Sequence, residues 1–267
     1  WRRPGKIGNA NTMKRSESFL RPLFCCFAAI IFERGVTDMQ YTKVAEARFV
    51  SRENRFVATV ILNQEQIRVH VKNTGRCQEL LRPNARVFLA DSKNPKRKYR
   101  YDLIAAEKGN LLINMDSQAP NQAFNEFLRS GGLVDGVSFV KPEYQYGASR
   151  IDFYFERGAE RHLVEIKGVT LEEHGICRFP DAPTERGTKH LHELIKATEE
   201  GYHAWICFVV QMQGMRWLEP NERTDPAFAQ ALRDAADAGV RVCAFQCNVG
   251  PAHMEITSDI PVRLFMQ

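Results

Sequence analysis

The residues of this chain best placed to do chemistry sit in one short stretch, SRIDFYFERGAERHLVEIKG, from Ser149 to Gly168. Two strand-like runs, Arg150–Glu156 and Arg161–Lys167, flank a polar turn centred on Gly158. On the first, Ile151, Phe153 and Phe155 alternate with Asp152 and Tyr154. On the second, Glu165 and Lys167 lie two apart and so share a face. Folding the turn symmetrically about positions 158 and 159 sets Asp152 opposite Glu165. Directly opposed Cβ atoms lie about 4.5–5.5 Å apart, and like charges at that spacing are destabilising. Two facing carboxylates beside a lysine therefore point to a bound cation.

Hard oxygen ligands of this kind suit Mg²⁺ or Mn²⁺. Such an ion activates a water and offsets charge on a phosphoryl group under attack. The Ile166 carbonyl could add a ligand, and Lys167 would hold the attacking water or the scissile phosphate. The catalytic set read this way is Asp152, Glu165 and Lys167, with Asp152 and Glu165 on the metal. Glu143, on the preceding strand, and Glu126, on the helix before it, read from the sequence alone as surface glutamates. The competing reading of the hairpin is a surface ion network, with Asp152 and Glu165 paired to Arg150 and Lys167.

The elements that must position these groups follow from periodicity. A helix is expected over Asn121–Ser130, a strand over Gly136–Tyr144, then the hairpin. Thr184–Glu200 reads as an amphipathic helix capped by Thr184, with Leu191, Leu194, Ile195 and Thr198 as its buried stripe and Gly201 ending it. Ala204–Gln211 is almost wholly apolar, as in a central strand covered on both faces. A helix over Pro226–Ala238 and a strand over Val240–Asn248 complete an α-β-β-β-α-β-α-β order. Arg186, Lys189 and Glu193 share a face near the start of the Thr184 helix, where Arg186 and Lys189 could bind phosphate. Asp181 is placed to cap that turn or to assist a metal. His190 and His192 diverge on a helix, so they read as solvated or core-rim histidines, not a zinc pair.

Upstream, Lys43–Arg52, Arg55–Leu62, Gln66–Lys72, Arg86–Ala90, Arg100–Ala106 and Asn110–Asn114 read as strands, with a single helical turn at Arg76–Leu81. Three strands, a short turn and further strands suggest an OB-like barrel over 39–117, joined at Ser117–Asn121 to an α/β domain with a mixed sheet over 118–267. Charge divides along the same line. Residues 39–117 carry fifteen Lys/Arg against eight Asp/Glu, and residues 118–267 carry fifteen against twenty-one. A basic block of this kind attracts a polyanion. Its densest part, Lys93, Lys96, Arg97, Lys98 and Arg100 with Tyr99 and Tyr101, suits phosphate contact and base stacking, and Arg76, Arg82 and Arg86 could extend it. The competing reading is a solvated loop.

The first 38 residues differ from the rest. They are basic and aperiodic, and their apolar run Leu23–Phe32 is too short to span a membrane. The chain starts with Trp, so Met39 reads as the true initiator, with 1–38 as upstream sequence translated in frame. Seven cysteines form no CxxC pair and read as reduced thiols of a cytoplasmic protein; no membrane association follows.

The element order and hairpin residues resemble the restriction-endonuclease-like nucleases, whose motif is PD-(D/E)xK; here Asp152 supplies its aspartate and Glu165-Ile166-Lys167 its ExK. That resemblance implies Glu143 and Glu126 as further candidate metal ligands, since such nucleases often add a carboxylate from these elements. Longer stretches are similar to the sugar fermentation stimulation protein family (SfsA). They are RFVATV (55–60), HVKNTGR (70–76), SRIDF (149–153), VEIKGVTL (164–171) and FPDAPTERGTKHLHEL (179–194). Cys77 after NTGR and Gly168 after the lysine depart from the family pattern without removing a ligand or the lysine. The resemblance implies an OB-like nucleic-acid-binding domain before a nuclease-like one. It implies DNA binding without sequence preference, DNA or RNA nuclease chemistry, and a link to maltose-gene regulation, with no protein partner indicated. The alternative to an enzyme is a non-catalytic DNA-binding regulator.

Overall fold

The computed structural model describes Trp1, residues 39–73 and residues 75–265. Expectations for the stretch before Met39, the Leu23–Phe32 run and Cys25–Cys26 among them, lie outside the described residues. The described residues from Met39 onward form one compact unit.

A two-residue strand, β1 (Met39–Gln40), is followed by six more: β2 (Val44–Asn54), β3 (Val57–Leu62), β4 (Glu65–Val71), β5 (Arg86–Asp91), β6 (Tyr101–Lys108) and β7 (Leu111–Asn114). Strands β2 to β6 run in the order β4-β3-β2-β5-β6, and a parallel pairing of β4 with β6 closes the barrel at His70–Asp102 and Val71–Leu103. Closure needs a strand that can bend and serve two neighbours. β2 does this, with bulges between Phe49 and Ser51 and between Arg52 and Asn54. This is the expected OB architecture, with β7 added as a hairpin on β6. The single turn expected at Arg76–Leu81 forms where the N–H groups of Leu80 and Leu81 both donate to the Cys77 carbonyl. Arg52 holds the chain before it, its guanidinium donating to the carbonyls of Asn73, Gly75 and Arg76 at 2.6–2.7 Å.

The second half comprises α1 (Ala119–Arg129), β8 (Phe139–Tyr146), β9 (Ser149–Arg157), β10 (Glu160–Val169), β11 (Glu172–Glu173), β12 (Ile176–Phe179), α2 (Glu185–Glu199), β13 (His203–Val210), β14 (Trp217–Pro220), α3 (Pro226–Asp237), β15 (Arg241–Gly250) and β16 (His253–Ile260). The main sheet is mixed, ordered β1-β16-β15-β13-β10-β9-β8, with β10, β13 and β15 parallel. Met39–Gln40 thus pairs with β16 and not with the barrel. α1 starts two residues earlier than expected because Pro120 occupies its first turn, where a missing N–H leaves no bond unmade. β11, β12 and β14 form a small second sheet, and β16 closes one side of the main one. Periodicity did not reveal these four: three run only two to four residues, and β16 is half polar.

β13 lies at the centre of the main sheet and is buried almost throughout. Its Trp205, Cys207 and Val209 pack with Phe124 and Leu128 of α1, and its Ile206, Phe208 and Val210 with Leu191 and Leu194 of α2 and Phe228 of α3. Each large side chain so buried contributes about 1.5–3 kcal/mol. The result is a rigid platform under β10. Both flanking helices on the second face are capped together: Thr184 Oγ1 accepts from Gly187 N, while Asp225 accepts from Phe228 N and from Thr184 N.

Candidate active site

β9 and β10 pair from Glu160–Arg157 to Val164–Phe153, the register that places Asp152 opposite Glu165. The ladder ends there. Asp152 Oδ2 accepts the Ile166 N–H at 2.8 Å, and Oδ1 accepts from Asn121 Nδ2 on α1 at 2.8 Å. The expected alternation of Ile151, Phe153 and Phe155 also breaks at this point. Ile151 joins the core under α2 and α3, whereas Phe153 and Phe155 join the core under α1. On the other side of β9, Glu143 falls between the pairs Pro142–Phe153 and Tyr144–Ile151, facing Asp152, with φ at +54°. A non-glycine residue in that region costs about 1–3 kcal/mol, so the backbone is strained beside Asp152.

Glu165 is 3% exposed. Its Oε1 accepts from Lys167 Nζ at 2.6 Å and from Nδ1 of His190 on α2. Its Oε2 is buried with no hydrogen-bond partner. Arg186 Nε donates to His190 Nε2 at 3.3 Å, which leaves the ring proton on Nδ1, facing Glu165. His190 is therefore buried and engaged, not solvated or at the core rim; the apolar stripe of α2 includes it along with Leu191 and Leu194. His192 is exposed. The two carboxyls are driven apart. Burial, then the charge of Glu165, pushes Asp152 above the usual aspartate range, against the Ile166 N–H, Asn121 and Lys167. Burial also opposes the charge on Glu165, but His190 and Lys167 together outweigh it and hold this carboxyl below the usual glutamate range.

The remaining sequence candidates are distributed more widely. Glu126 Oε2 accepts the Met39 N–H at 2.8 Å, tying α1 to β1. Glu143 is 61% exposed and pairs with Arg150 at 3.0 Å. Neither is brought into contact with Asp152 or Glu165 by a hydrogen bond, and among the described residues no group of three or more His, Cys, Asp or Glu is arranged around a common point. Asp181 is largely buried and accepts the Arg76 N–H, so it links the barrel to the second domain. In the basic loop, Arg97 makes a bidentate pair with Asp102 at 2.8 Å, and Arg100 pairs with Asp91 at 2.9 Å. Lys96 and Lys98 are exposed and make no ion pair among the described residues, as is the case for Lys93 and Arg76. Lys98 lies over the Tyr99 ring. Lys189 is exposed and 3.7 Å from Glu193.

Sequence reasoning missed Asn121 and the network that fixes the domains. Gln211 Nε2 donates to Asn114 Oδ1 and to the Asp116 carbonyl at 3.1 Å, while Lys72 Nζ reaches Asp116 Oδ2 at 2.6 Å. Lys72 belongs to the barrel segment, Asp116 to the joint and Gln211 to the end of β13, so the site is held at a fixed position against the barrel.

A closed OB barrel joined to a mixed-sheet domain, with a buried glutamate, a half-buried aspartate and a lysine where the β9–β10 ladder ends, defines a two-domain α+β protein. Family models match both parts: the SfsA N-terminal OB domain over residues 50–115, and the sugar fermentation stimulation protein RE domain over residues 118–253. The chain belongs to the SfsA family. It is 46% identical over 226 residues to a sugar fermentation stimulation protein homolog of Desulfitobacterium hafniense, covering 85% of this chain and 99% of that one. A homolog from Clostridium beijerinckii is 45% identical, covering 85% and 100%. A solved structure of the Pyrococcus furiosus SfsA in complex with Ca²⁺ superposes with a TM-score of 0.78 at 26% identity, covering 85% of this chain and all of that one.

Proposed function

We propose that this protein binds DNA or RNA without strong sequence preference and hydrolyses phosphodiester bonds at Asp152, Glu165 and Lys167 with a divalent cation, Mg²⁺ or Mn²⁺. The carrying observation is the facing pair of a half-buried Asp152 and a buried Glu165, with Glu165 Oε2 left unpartnered. A buried acceptor without a partner is uncommon and costs about 1–3 kcal/mol. Hard oxygen donors of this kind fit a divalent cation, which Asp152 and Glu165 would hold. The Pyrococcus furiosus SfsA, solved in complex with Ca²⁺, supports the same preference for a hard divalent ion. When bound, the ion supplies Lewis-acid charge and an acidic water.

The chain's own residues do the rest. Asn121 and the Ile166 N–H fix the Asp152 carboxylate. His190 fixes Glu165 from the other side, and Arg186 fixes His190. Lys167, its ammonium held on Glu165 Oε1, would offset charge building on a phosphate in the transition state. Lys93, Lys96 and Lys98 on the barrel supply sequence-independent attraction for the backbone. The five described cysteines are all free thiols, which supports placing the protein in the cytoplasm.

The test uses purified protein, plasmid DNA and mixed RNA, with EDTA or with Mg²⁺ or Mn²⁺. Cleavage is expected only with metal, and Lys167→Ala should lower it roughly 10²–10³-fold. Asp152→Asn should abolish cleavage while salt-dependent binding persists. Cleavage that persists in EDTA, or that stays at the wild-type rate in Lys167→Ala, sinks this reading. Binding with no cleavage under any condition favours the non-catalytic regulator of sugar (maltose) metabolism.

A further inference from the structure

A recess of about 390 Å³ opens between barrel and sheet domain immediately past Lys167. Arg55 and Asn73 of the barrel, Ser117 of the joint, Gly168 at the end of β10, Phe179 at the end of β12 and Asp181 beyond it line the recess. Its shape is built in. A Cβ on Gly168 would lie 2.6 Å from Gln211 Oε1 and 2.8 Å from Pro120 Cγ, so only glycine leaves this wall in place. A Cβ on Gly75 would lie 2.5 Å from Asp181 Oδ2, where the barrel loop closes on the FPDAPT segment. The Asp181 contact to Arg76 N and the Arg52 clamp on the same loop hold the two walls together.

We propose that this recess seats one unstacked nucleotide, and that the substrate of the neighbouring site is single-stranded. This rests on reading Asp152, Glu165 and Lys167 as the phosphodiester site. Consecutive Cα atoms are about 3.8 Å apart, so Gly168 is the next step along the chain from Lys167. A strand whose phosphate lies at Lys167 and which continues toward the barrel passes over Gly168, and its next base meets the recess. Amide, hydroxyl and carboxylate groups on the walls match the polar edges of a base, and the volume is that of a small-ligand pocket. A base inside a duplex faces its partner and can enter such a recess only by leaving the stack, at a free-energy penalty that a single strand avoids. The recess also lies beside the barrel, a fold that handles single strands by tracking the backbone and separating bases.

Binding in EDTA tests this apart from cleavage. The probes are oligothymidylate and oligouridylate of about 12 nucleotides, within the site size of an OB fold, and a DNA hairpin duplex of matching length. At least one single strand should bind about tenfold or more tighter than the duplex, and which one reports the sugar the recess accepts. Ala182→Trp and Ser117→Trp, which fill the mouth, should remove that difference and leave duplex binding unchanged. A 2-aminopurine within the strand should brighten on binding wild-type protein as its base leaves the stack. Equal affinity for strand and duplex, a preference that survives in both Trp variants with wild-type melting, or unchanged 2-aminopurine emission overturns the proposal. Absence of cleavage with Mg²⁺ or Mn²⁺, with this binding pattern intact, overturns only the nuclease reading.

Discussion

Asp152 and Glu165 carry the same formal charge but occupy opposite electrostatic situations. Glu165 has His190 and Lys167 hydrogen-bonded to it, while Asp152 is hydrogen-bonded only by dipolar groups and faces the repulsion of Glu165, with Lys167 a weaker, more distant counter-charge. For Asp152 the sign follows from its direction: a carboxyl raised above its unfolded value contributes most stability below that value and loses it as pH rises through the folded pKa. Without a metal, the ionised form of Asp152 is therefore disfavoured in the fold relative to the unfolded chain. Asp152→Asn keeps an acceptor for Ile166 N and removes the charge, and should raise the melting temperature in EDTA by about 2–4 °C. Mn²⁺ should stabilise wild type by mass action and leave the variant unmoved. Thermal scans with and without Mn²⁺ check this; a variant that melts below wild type in EDTA would show that Asp152 is not under charge strain. The carboxylate pair and lysine were legible because they need only a strand period and a hairpin register. Asn121 and His190 were not, because their contacts join α1 to β9 and α2 to β10, and no local spacing encodes which faces of separate helices meet one strand.

At the scale of elements, β10 works as a lever between two ends with different chemistry. Its C-terminal end carries Lys167 and Gly168. Gly168→Ala would drive its Cβ against Gln211 Oε1 and Pro120 Cγ. Gln211 is held by Asn114 and Asp116 and cannot yield freely. The variant should lose about 1–3 kcal/mol of stability and shift Lys167, so cleavage should fall more than binding; denaturant midpoints and paired assays check both. At the other end His162 stacks on Phe155 at 4.2 Å and on His203 at 4.8 Å, and its Nδ1 accepts from Trp205 Nε1. Burial, then His203, pushes its pKa down to about 4. A histidine depressed in the folded state is protonated first in the unfolded chain. Stability is therefore full above about pH 6.5 and falls on acidification toward about pH 4. His162→Phe keeps the stack and removes the titration. Its stability should be flatter across that window by on the order of 2 kcal/mol, read from denaturant midpoints near either end. The long elements around β10 were visible from periodicity, since α2 and β13 bury continuous apolar stripes. β11, β12 and β14 were hidden by their length, though β11 and β12 carry the chain into the FPDAPT wall and β14 pairs with β12.

At the scale of the molecule, the charge division between the blocks set the expectation of a basic surface delivering a polyanion to an acidic domain. Much of the barrel's basic complement is internally matched: Arg86 to Glu46 and Glu107, Arg68 to Glu53, Lys72 to Asp116, Lys108 to Glu172 and Arg97 to Asp102. A count of charges in sequence cannot separate struts from contacts, because pairs such as Arg97 with Asp102 are set by the loop's return onto β6. What remains for an external phosphate is a set of exposed cations, Lys93, Lys96 and Lys98 with Arg55, Arg76 and Arg82 among them, whose backbone contacts would carry no sequence preference. The two kinds of residue should separate experimentally. Lys96→Ala and Lys98→Ala should each lower the slope of log affinity against log salt by about 0.7–0.9, with melting unchanged, because each removes one phosphate contact and its released counterion. Arg97→Ala should leave that slope near its wild-type value but cost about 1–2 kcal/mol of stability, because Asp102 then keeps only His70 at the seam where β4 closes on β6. Salt titrations of binding, run beside denaturant melts of the same variants, read both quantities. A slope that falls equally in all three variants would place Arg97 on the nucleic acid and reduce the seam to a bystander.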